Sequence, residues 1–194
     1  MGEIGKKILE IIGPLFDAVG AIDQYLILGL ETRPNRDLDE FTLSDGKYRF
    51  DGFGKHFSPL VAAAIKAIEA EGHTARQLRY SSEVHIKMLA VRAGLGKWGK
   101  NSLVIHPKFG PWLRFVVLET DIHFDSPEYQ PWYVSPTCAD CDLCIRACPV
   151  GLVGYYALGK PESCLAYLDL AHPASTRRCD ACLSVCPVRI RTPR

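Results

Sequence analysis

The chain has 194 residues, of which 47% are hydrophobic and 23% are charged, and its 23 basic and 22 acidic side chains leave a net charge of +1. This globular composition excludes a disordered chain, and the length predicts one domain or two small ones. The near-zero charge argues against electrostatic binding of bulk nucleic acid, and no apolar run approaches the roughly 18 residues of a membrane span. The N-terminus has acidic residues and no small-residue cleavage site, so it is not a secretory signal and we expect a cytoplasmic protein.

The first third of the chain predicts two helices with a strand and a loop between them. From hydrophobic spacing and composition, we predict a helix over residues 4–15, a buried strand over residues 24–30 and a loop over residues 31–57. A second helix is predicted to begin with Ser58 as N-cap and Pro59 at its first position. Gly72 is predicted to end it.

The middle of the chain continues the alternation of helices and strands. We predict a strand over residues 75–80, a helix over residues 83–93, a glycine-rich turn over residues 93–101, and strands over residues 102–106 and 112–120. Such alternation indicates an α/β or α+β layered fold. Three prolines in residues 124–137 predict a stiff linker.

All eight cysteines lie between Cys138 and Cys186, and none precedes them. A disulfide scaffold would spread its bridges over a small secreted chain, so this crowding predicts metal or cluster binding in a reducing compartment. The first run has the spacing C-x2-C-x2-C-x3-C-P and consists of Cys138, Cys141, Cys144, Cys148 and Pro149. This is the run of bacterial two-cluster ferredoxins, in which the fourth cysteine binds the other cluster.

The second run is irregular, with Cys164 alone and then C-x2-C-x3-C-P from Cys179. If ligands are exchanged as in ferredoxins, one 4Fe–4S cluster is held by Cys138, Cys141, Cys144 and Cys186, and the other by Cys148, Cys164, Cys179 and Cys182. No thiol is left over, which favours two clusters. The alternatives are disulfides and two zinc sites of four cysteines each. Three cysteines separated by two residues each fit a tetrahedral zinc site poorly.

A ferredoxin needs only about 60 residues, so the preceding 137 need a further role. The segment AVRAGLGKWGKNSLVIHPKFGPWLRFVVLETDI, the lone cysteine in SCLAYL and the closing CDACLSVCPV resemble epoxyqueuosine reductases and the related reductive dehalogenases. The resemblance covers roughly residues 57–188. It implies an α+β protein with a nitroreductase-like, corrinoid-binding domain over residues 1–125. A ferredoxin-like domain with two 4Fe–4S clusters is implied over residues 126–194.

The resemblance also implies that the glycine-rich turn contacts the corrinoid. The implied contacts are Gly94, Gly96, Lys97, Trp98, Gly99, Lys100, Asn101 and Ser102. Glycines let the backbone approach a flat macrocycle, and the polar side chains offer donors to its periphery. The alternative is that the glycines only make a tight helix-to-strand turn.

Tyr80 stands where epoxyqueuosine reductases carry their proton-donating Asp, counting back from AGLG. Reductive dehalogenases use a Tyr as proton donor, so the resemblance implies that Tyr80 is the catalytic acid. A phenol with a pKa near 10 is competent for this task. The alternative is a half-buried strand tyrosine with a structural role.

Three weaker signals remain. Asp121 and His123 resemble part of a cobalt-ligating D-x-H-x-x-G motif that lacks its glycine, and we do not expect them to ligate. His106, at a strand end, is predicted to be a structural hydrogen-bonding residue. The isolated aromatic residues are predicted to belong to the core, with cover of a planar cofactor as the alternative; they are Trp98, Trp112, Trp132 and Tyr133.

Two functions follow from these motifs. The first is a cobalamin-dependent reductase that takes electrons from an external ferredoxin- or flavodoxin-type donor and acts on a small organic molecule or a modified nucleoside. The helical-repeat extension with which epoxyqueuosine reductases help hold tRNA is absent from the sequence, which argues against a tRNA substrate. The second is a non-catalytic electron carrier that reduces a partner corrinoid or flavin protein, and a flavin-linked reductase is a further alternative.

Overall fold

The computed structural model describes residues 2–32, 38, 40–45, 47–52, 54–78, 85–126, 134–151, 153 and 179–189. Its helices are α1 Glu3–Ile12, α2 Gly54–Ala70, α3 Ile86–Arg92, α4 Leu143–Ala147 and α5 Ala181–Ser184, with 3-10 turns at Gly13–Leu15, Pro136–Cys138 and Pro187–Arg189. Its strands are β1 Ala18–Glu31, β2 Glu40–Ser44, β3 Lys47–Gly52, β4 Ala75–Gln77, β5 Lys97–Trp98, β6 Val104–Ile105 and β7 Leu113–Phe124. The predicted mixture of helices and strands is confirmed.

The main sheet is antiparallel and has the order β1-β7-β4. Strand β7 is central, since β1 pairs along it from Tyr25 opposite Glu119 to Glu31 opposite Leu113, and β4 pairs with its other edge. Strand β1, with 14 residues, is longer than the strand predicted over residues 24–30. Strand β4, with only 3 residues, is shorter than the strand predicted over residues 75–80. The sheet is therefore built on the two long strands.

The two faces of this sheet are covered by different elements. Leu26, Leu28 and Leu118 share one core cluster with buried residues of α1 and α2, whereas Ile27 and Val117 share a second cluster with α3. Neighbouring residues of a strand point to opposite faces of the sheet. Helices α1 and α2 therefore pack on one face, and α3 packs on the other. The second face also receives Val104 of β6, so this face carries the glycine-rich segment.

Two predictions in residues 31–57 are wrong. The predicted loop contains the β2–β3 hairpin, in which Ser44 pairs with Lys47 and Asp45 has a φ of +52°. An Asp-Gly dipeptide favours such a turn, and this signal was in the sequence at Asp45. Helix α2 begins at Gly54, four residues before the predicted N-cap Ser58, because the extra turn buries Phe57, which is 1% exposed.

The predicted linker at residues 124–137 is only partly separate from the body of the protein. Strand β7 extends to Phe124, and residues 127–133 lie outside the described part of the chain. At the far end, Val134 forms a parallel bridge with Trp98, and the Ser135 N–H donates to the Trp98 carbonyl at 2.8 Å. The start of the cysteine-rich region is therefore tied to strand β5.

Candidate functional site

The glycine-rich segment begins where helix α3 stops. The Leu95 N–H donates to the Ala90 carbonyl at 2.9 Å and the Gly94 N–H donates to the Val91 carbonyl at 3.0 Å. These two bonds and the φ of +78° at Gly94 make a Schellman motif, which favours glycine at this position. Gly94 therefore has a structural role in ending the helix.

The next residues form the short hairpin β5–β6, with Lys97 opposite Ile105 and Trp98 opposite Val104. Gly96 lies against the partner strand so closely that a Cβ atom there would stand 2.6 Å from the Ile105 carbonyl oxygen. The glycine-rich turn is thus a strand pairing that was not predicted, and it depends on the absence of a side chain at Gly96.

The end of this hairpin contacts the cysteine-rich region. Lys100 is 7% exposed, and its Nζ donates to the carbonyl of Ala139 at 2.9 Å. Asn101 is 4% exposed, and its Nδ2 donates to the carbonyl of Cys182 at 3.5 Å. One turn of the hairpin therefore touches both cysteine runs, a contact that was not predicted from the sequence.

The two cysteine runs share one local structure. Each contains the sequence C-D-x-C-x3-C-P, starting at Cys141 and at Cys179. In each, the aspartate carbonyl accepts the first two helical bonds, at 3.0 Å for Asp142 and 2.8 Å for Asp180, and a short helix follows. This internal repeat is the arrangement expected of a module that binds two similar groups.

Four cysteines line a single cavity that is open to solvent. Its lining consists of Cys138, Cys141, Cys144 and Cys186 together with Lys100, Asn101, Ile105, Thr137, Leu143, Pro187 and Val188. Three of these thiols come from the first run and one from the second, which is the set predicted for one cluster. A lining of four thiols without a carboxylate suits an iron–sulfur group, because thiolates are the ligands of these clusters.

The electrostatics of this cavity disfavour four free thiolates. Burial raises the pKa of the Cys144 thiol, and the neighbouring Cys138 and Cys141 raise it further. Burial also raises the pKa of Cys186, and the charges of the same neighbours add to the effect. Bound iron would reverse this preference, since a coordinating thiol is deprotonated by the metal charge.

The remaining predicted cluster ligands are less fully described. Cys148, Cys179 and Cys182 are half-buried and carry no disulfide. Cys164 lies outside the described residues, so the second predicted ligand set is incomplete there. Within the described ranges, no three Cys, His, Asp or Glu side chains are grouped closely enough to hold one metal ion. A cubane, whose four irons each take a separate thiolate, does not require so compact a group.

The predicted corrinoid contacts divide between two environments. Lys97 is exposed and Trp98 half-buried, whereas Lys100 and Asn101 face the cysteine-rich region. Ser102 is 5% exposed, has a φ of +59°, and its hydroxyl has no hydrogen-bond partner in the described structure. A buried hydroxyl without a partner is costly, so this atom suits a contact with a bound group.

The predicted acid and the weaker signals have different outcomes. Tyr80 lies outside the described residues. The structural role of His106 is confirmed, since its Nδ1 accepts the N–H groups of Lys108 at 3.0 Å and Phe109 at 3.2 Å. Asp121 instead contacts His73, with 3.2 Å between its Oδ1 and the histidine Nδ1. Trp112 is buried, as predicted for a core residue.

Sequence relatives were found in two groups of enzymes, although no family model matches the chain. The epoxyqueuosine reductase of Listeria monocytogenes is 33% identical over 112 residues, which are 51% of this chain and 28% of the relative. The tetrachloroethene reductive dehalogenase of Desulfitobacterium hafniense is 29% identical over 153 residues, which are 69% of this chain and 28% of the relative. The chain thus spans less than a third of the length of these relatives.

Solved structures of the same two groups share the fold. Epoxyqueuosine reductase from Bacillus subtilis superposes with a TM-score of 0.70 and 16% identity over 96% of this chain and 65% of its own. An epoxyqueuosine reductase solved with a modified tRNA stem loop gives 0.66 at 14% identity, over 96% of this chain and 65% of its own. A reductive dehalogenase studied for B12-dependent dehalogenation gives 0.64 at 16% identity, over 96% of this chain and 32% of its own.

These matches confirm the resemblance that the motifs of the sequence indicated. The sequence matches and the superpositions point to the same two groups of proteins. The chain is related to epoxyqueuosine reductases and reductive dehalogenases, and it has the mixed α/β fold of their solved structures.

Proposed function

We propose that this chain is a cobalamin-dependent reductase with two 4Fe–4S clusters in its C-terminal part. The observation that carries the proposal is the cavity lined by Cys138, Cys141, Cys144 and Cys186, next to the turn that bears Lys100 and Asn101. The relatives include a dehalogenase studied for B12-dependent chemistry, which supports a corrinoid as the second cofactor. When bound, the clusters and the corrinoid would supply low-potential electrons and the bond-breaking chemistry.

The residues of the chain have distinct tasks in this function. Cys138, Cys141, Cys144 and Cys186 bind one cluster, and Cys148, Cys164, Cys179 and Cys182 bind the other. The segment from Gly94 to Ser102 lies against the corrinoid in a nitroreductase-like domain over residues 1–125, and the ferredoxin-like domain occupies residues 126–194. Tyr80 donates the proton that the reduced substrate needs.

The substrate is a small organic molecule or a modified nucleoside, reduced with electrons from a ferredoxin- or flavodoxin-type donor. A structural neighbour has been solved with a tRNA stem loop, which supports a nucleoside within RNA as one form of the substrate. The described part of the chain contains no helix long and apolar enough to cross a membrane.

The test is anaerobic reconstitution with iron, sulfide and cobalamin, followed by metal analysis and the ultraviolet–visible spectrum. We expect about eight irons per chain, four for each cubane, and one cobalt retained after gel filtration. Zinc in place of iron, or far fewer irons per chain in repeated assemblies, would refute the proposal. The same assembly with Cys186→Ser is the matched comparison, because it removes one ligand of the described cavity.

A second candidate is an electron carrier that docks on another corrinoid or flavin protein. It is favoured by large apolar side chains that are more than a third exposed among the described residues of the cysteine-rich region, namely Leu143, Val150 and Val185. Exposed apolar side chains near a redox centre suit a partner surface. Full iron with no retained cobalt in the reconstitution supports this candidate, and stoichiometric cobalt contradicts it.

A further inference from the structure

The turn of the β5–β6 hairpin places a buried carboxamide in the wall of the cysteine cavity. Asn101 is 4% exposed and lines this cavity together with four thiols. Its Oδ1 accepts the N–H of Leu103 at 3.2 Å. Because a backbone N–H only donates, the atom that faces it must be the oxygen of the carboxamide, and the NH2 group is the other branch. We call the cluster proposed for these thiols the cavity cluster; its ligands are Cys138, Cys141, Cys144 and Cys186.

The NH2 group of Asn101 reaches the cysteine-rich region. Its Nδ2 lies 3.5 Å from the carbonyl oxygen of Cys182, at the long end of hydrogen-bond distances. This contact uses one of the two N–H donors of the carboxamide. Among the residues that the structure describes, Leu103 and Cys182 supply the hydrogen-bond partners of this side chain. The second N–H donor therefore remains for a group bound in the cavity.

We propose that Asn101 donates a hydrogen bond to a sulfur atom of the cavity cluster and thereby raises its reduction potential, and this inference rests on the proposed function. Reduction moves one electron from a ferredoxin- or flavodoxin-type donor to the cluster, and no covalent bond forms or breaks. The reduced cluster carries one more negative charge, and a hydrogen bond to a charged acceptor is stronger than one to a neutral acceptor. Hydrogen bonds to the sulfurs are among the factors that set the potentials of such clusters.

The surrounding turn holds this carboxamide in one orientation. The Gly99 N–H donates to the Leu103 carbonyl at 2.8 Å, and the Ser102 N–H donates to the Gly99 carbonyl at 2.9 Å. Gly99 also leaves room for the side chain, since a Cβ atom there would stand 2.8 Å from the Asn101 Oδ1. A donor that is fixed in this way needs little reorganisation when the cluster accepts an electron.

The contact with Cys182 means that Asn101 touches both proposed ligand sets. It lines the cavity of one set, and it bonds to the backbone of a residue that belongs to the other set. Loss of the side chain would therefore alter the other cluster if the bond to Cys182 were the contact that matters. A test of the proposal must distinguish the two clusters.

The experiment compares two variants of the full chain that differ in one local bond. Asn101→Ser removes the carboxamide donor but keeps an oxygen that accepts the Leu103 N–H, as serine does in turns. Asn101→Ala removes both the donor and this acceptor. Gln77→Ala is the matched control, because it removes a carboxamide from an exposed position on β4. Each protein is assembled anaerobically, analysed for iron and sulfide, and titrated against potential with paramagnetic resonance detection.

We expect both Asn101 variants to bind the full iron content and to shift one titration step to more negative potential by similar amounts. At a fixed potential, the ratio of reduced to oxidised cluster should fall about tenfold, a shift of about 59 mV for one electron. The step that moves should be the one that Cys186→Ser removes. Asn101→Ala should unfold at a lower temperature than Asn101→Ser, since it alone loses the bond to Leu103. Gln77→Ala should titrate like the unaltered protein.

The outcomes separate this inference from the proposed function. Unchanged potentials in the two iron-loaded Asn101 variants would overturn it, and so would a shift in Asn101→Ala alone, which would follow the turn bond to Leu103. A shift only in the step that Cys179→Ser removes would overturn it in favour of an effect through Cys182. Loss of iron from both variants while the unaltered protein assembles normally would overturn it in favour of a purely structural asparagine. If the unaltered protein itself binds no iron, the proposed function fails.

Discussion

Gly96 offers a sharp test of how the glycine-rich segment is built. In Gly96→Ala the new Cβ would stand 2.6 Å from the Ile105 carbonyl oxygen and 2.8 Å from the Val104 Cγ1, so strand β6 would have to move. Overpacking of this kind costs about 1–3 kcal/mol. The φ of +157° adds backbone strain of about 1–3 kcal/mol for a residue with a side chain.

Gly94→Ala is the matched control, two residues earlier. Its φ of +78° imposes a strain of about 1–2 kcal/mol, but a Cβ there meets no atom within 4 Å. For a chain of this size each kcal/mol moves the unfolding midpoint by about 2–4 °C. We therefore expect a fall of about 2–8 °C for Gly94→Ala and about 4–24 °C for Gly96→Ala.

The assay is anaerobic thermal unfolding of the assembled protein, followed by far-ultraviolet circular dichroism, with iron content measured beforehand. Because the β5–β6 hairpin carries Lys100 and Asn101 to the cysteine-rich region, Gly96→Ala should also retain less iron than Gly94→Ala. Equal midpoints and equal iron in the two variants would refute this account of the hairpin.

Three further predictions test the acid, the ligand set and a pH-dependent turn. Tyr80→Phe should abolish turnover with both clusters and cobalamin retained, and unchanged turnover would remove Tyr80 as the acid. Cys164→Ser should remove one cluster, which would appear as a loss of about half the iron and of one paramagnetic signal. If neither cluster is lost, the assignment of Cys164 as a cluster ligand is wrong. Burial, and then the charge of Lys108, lower the pKa of His106, so the unfolded chain binds that proton more readily. The stability that the His106 turn contributes should be present above pH about 6.5 and be lost as the pH falls below that value. In His106→Asn the unfolding midpoint should depend less on pH in this range. If the midpoints of the variant and of the unaltered protein change with pH in parallel, the prediction is wrong.

The fold was predictable from the sequence where no tertiary contact opposed the local signal. Gly72 and Gly94 follow the ends of α2 and α3 and both have positive φ, so the backbone itself demanded the residue that the sequence supplied. The start of α2 was not predictable in this way. A helix cap stabilises by about 1 kcal/mol, whereas burial of a phenylalanine stabilises by about 1.5–3 kcal/mol, so the packing of Phe57 outweighs the capping signal at Ser58.

The site shows the same division between local and long-range information. The cysteine spacing, read with the ligand exchange of two-cluster ferredoxins, predicted the four thiols that line the described cavity, namely Cys138, Cys141, Cys144 and Cys186. The contacts of Lys100 with Ala139 and of Asn101 with Cys182 join residues 39 and 81 positions apart. No pattern in the sequence encodes such contacts, since they depend on how β5–β6 and the cysteine-rich region are positioned by the whole fold.

Through these long-range contacts the glycine-rich segment has a second structural role besides ending helix α3. Its first residues end a helix and pair with β6, and its last residues reach the two cysteine runs. A corrinoid bound against Gly94 to Ser102, as we propose, would therefore share one short hairpin with the cavity of Cys138, Cys141, Cys144 and Cys186. A side chain at Gly96 would therefore disturb the hairpin that carries Lys100 and Asn101 to the cysteine-rich region.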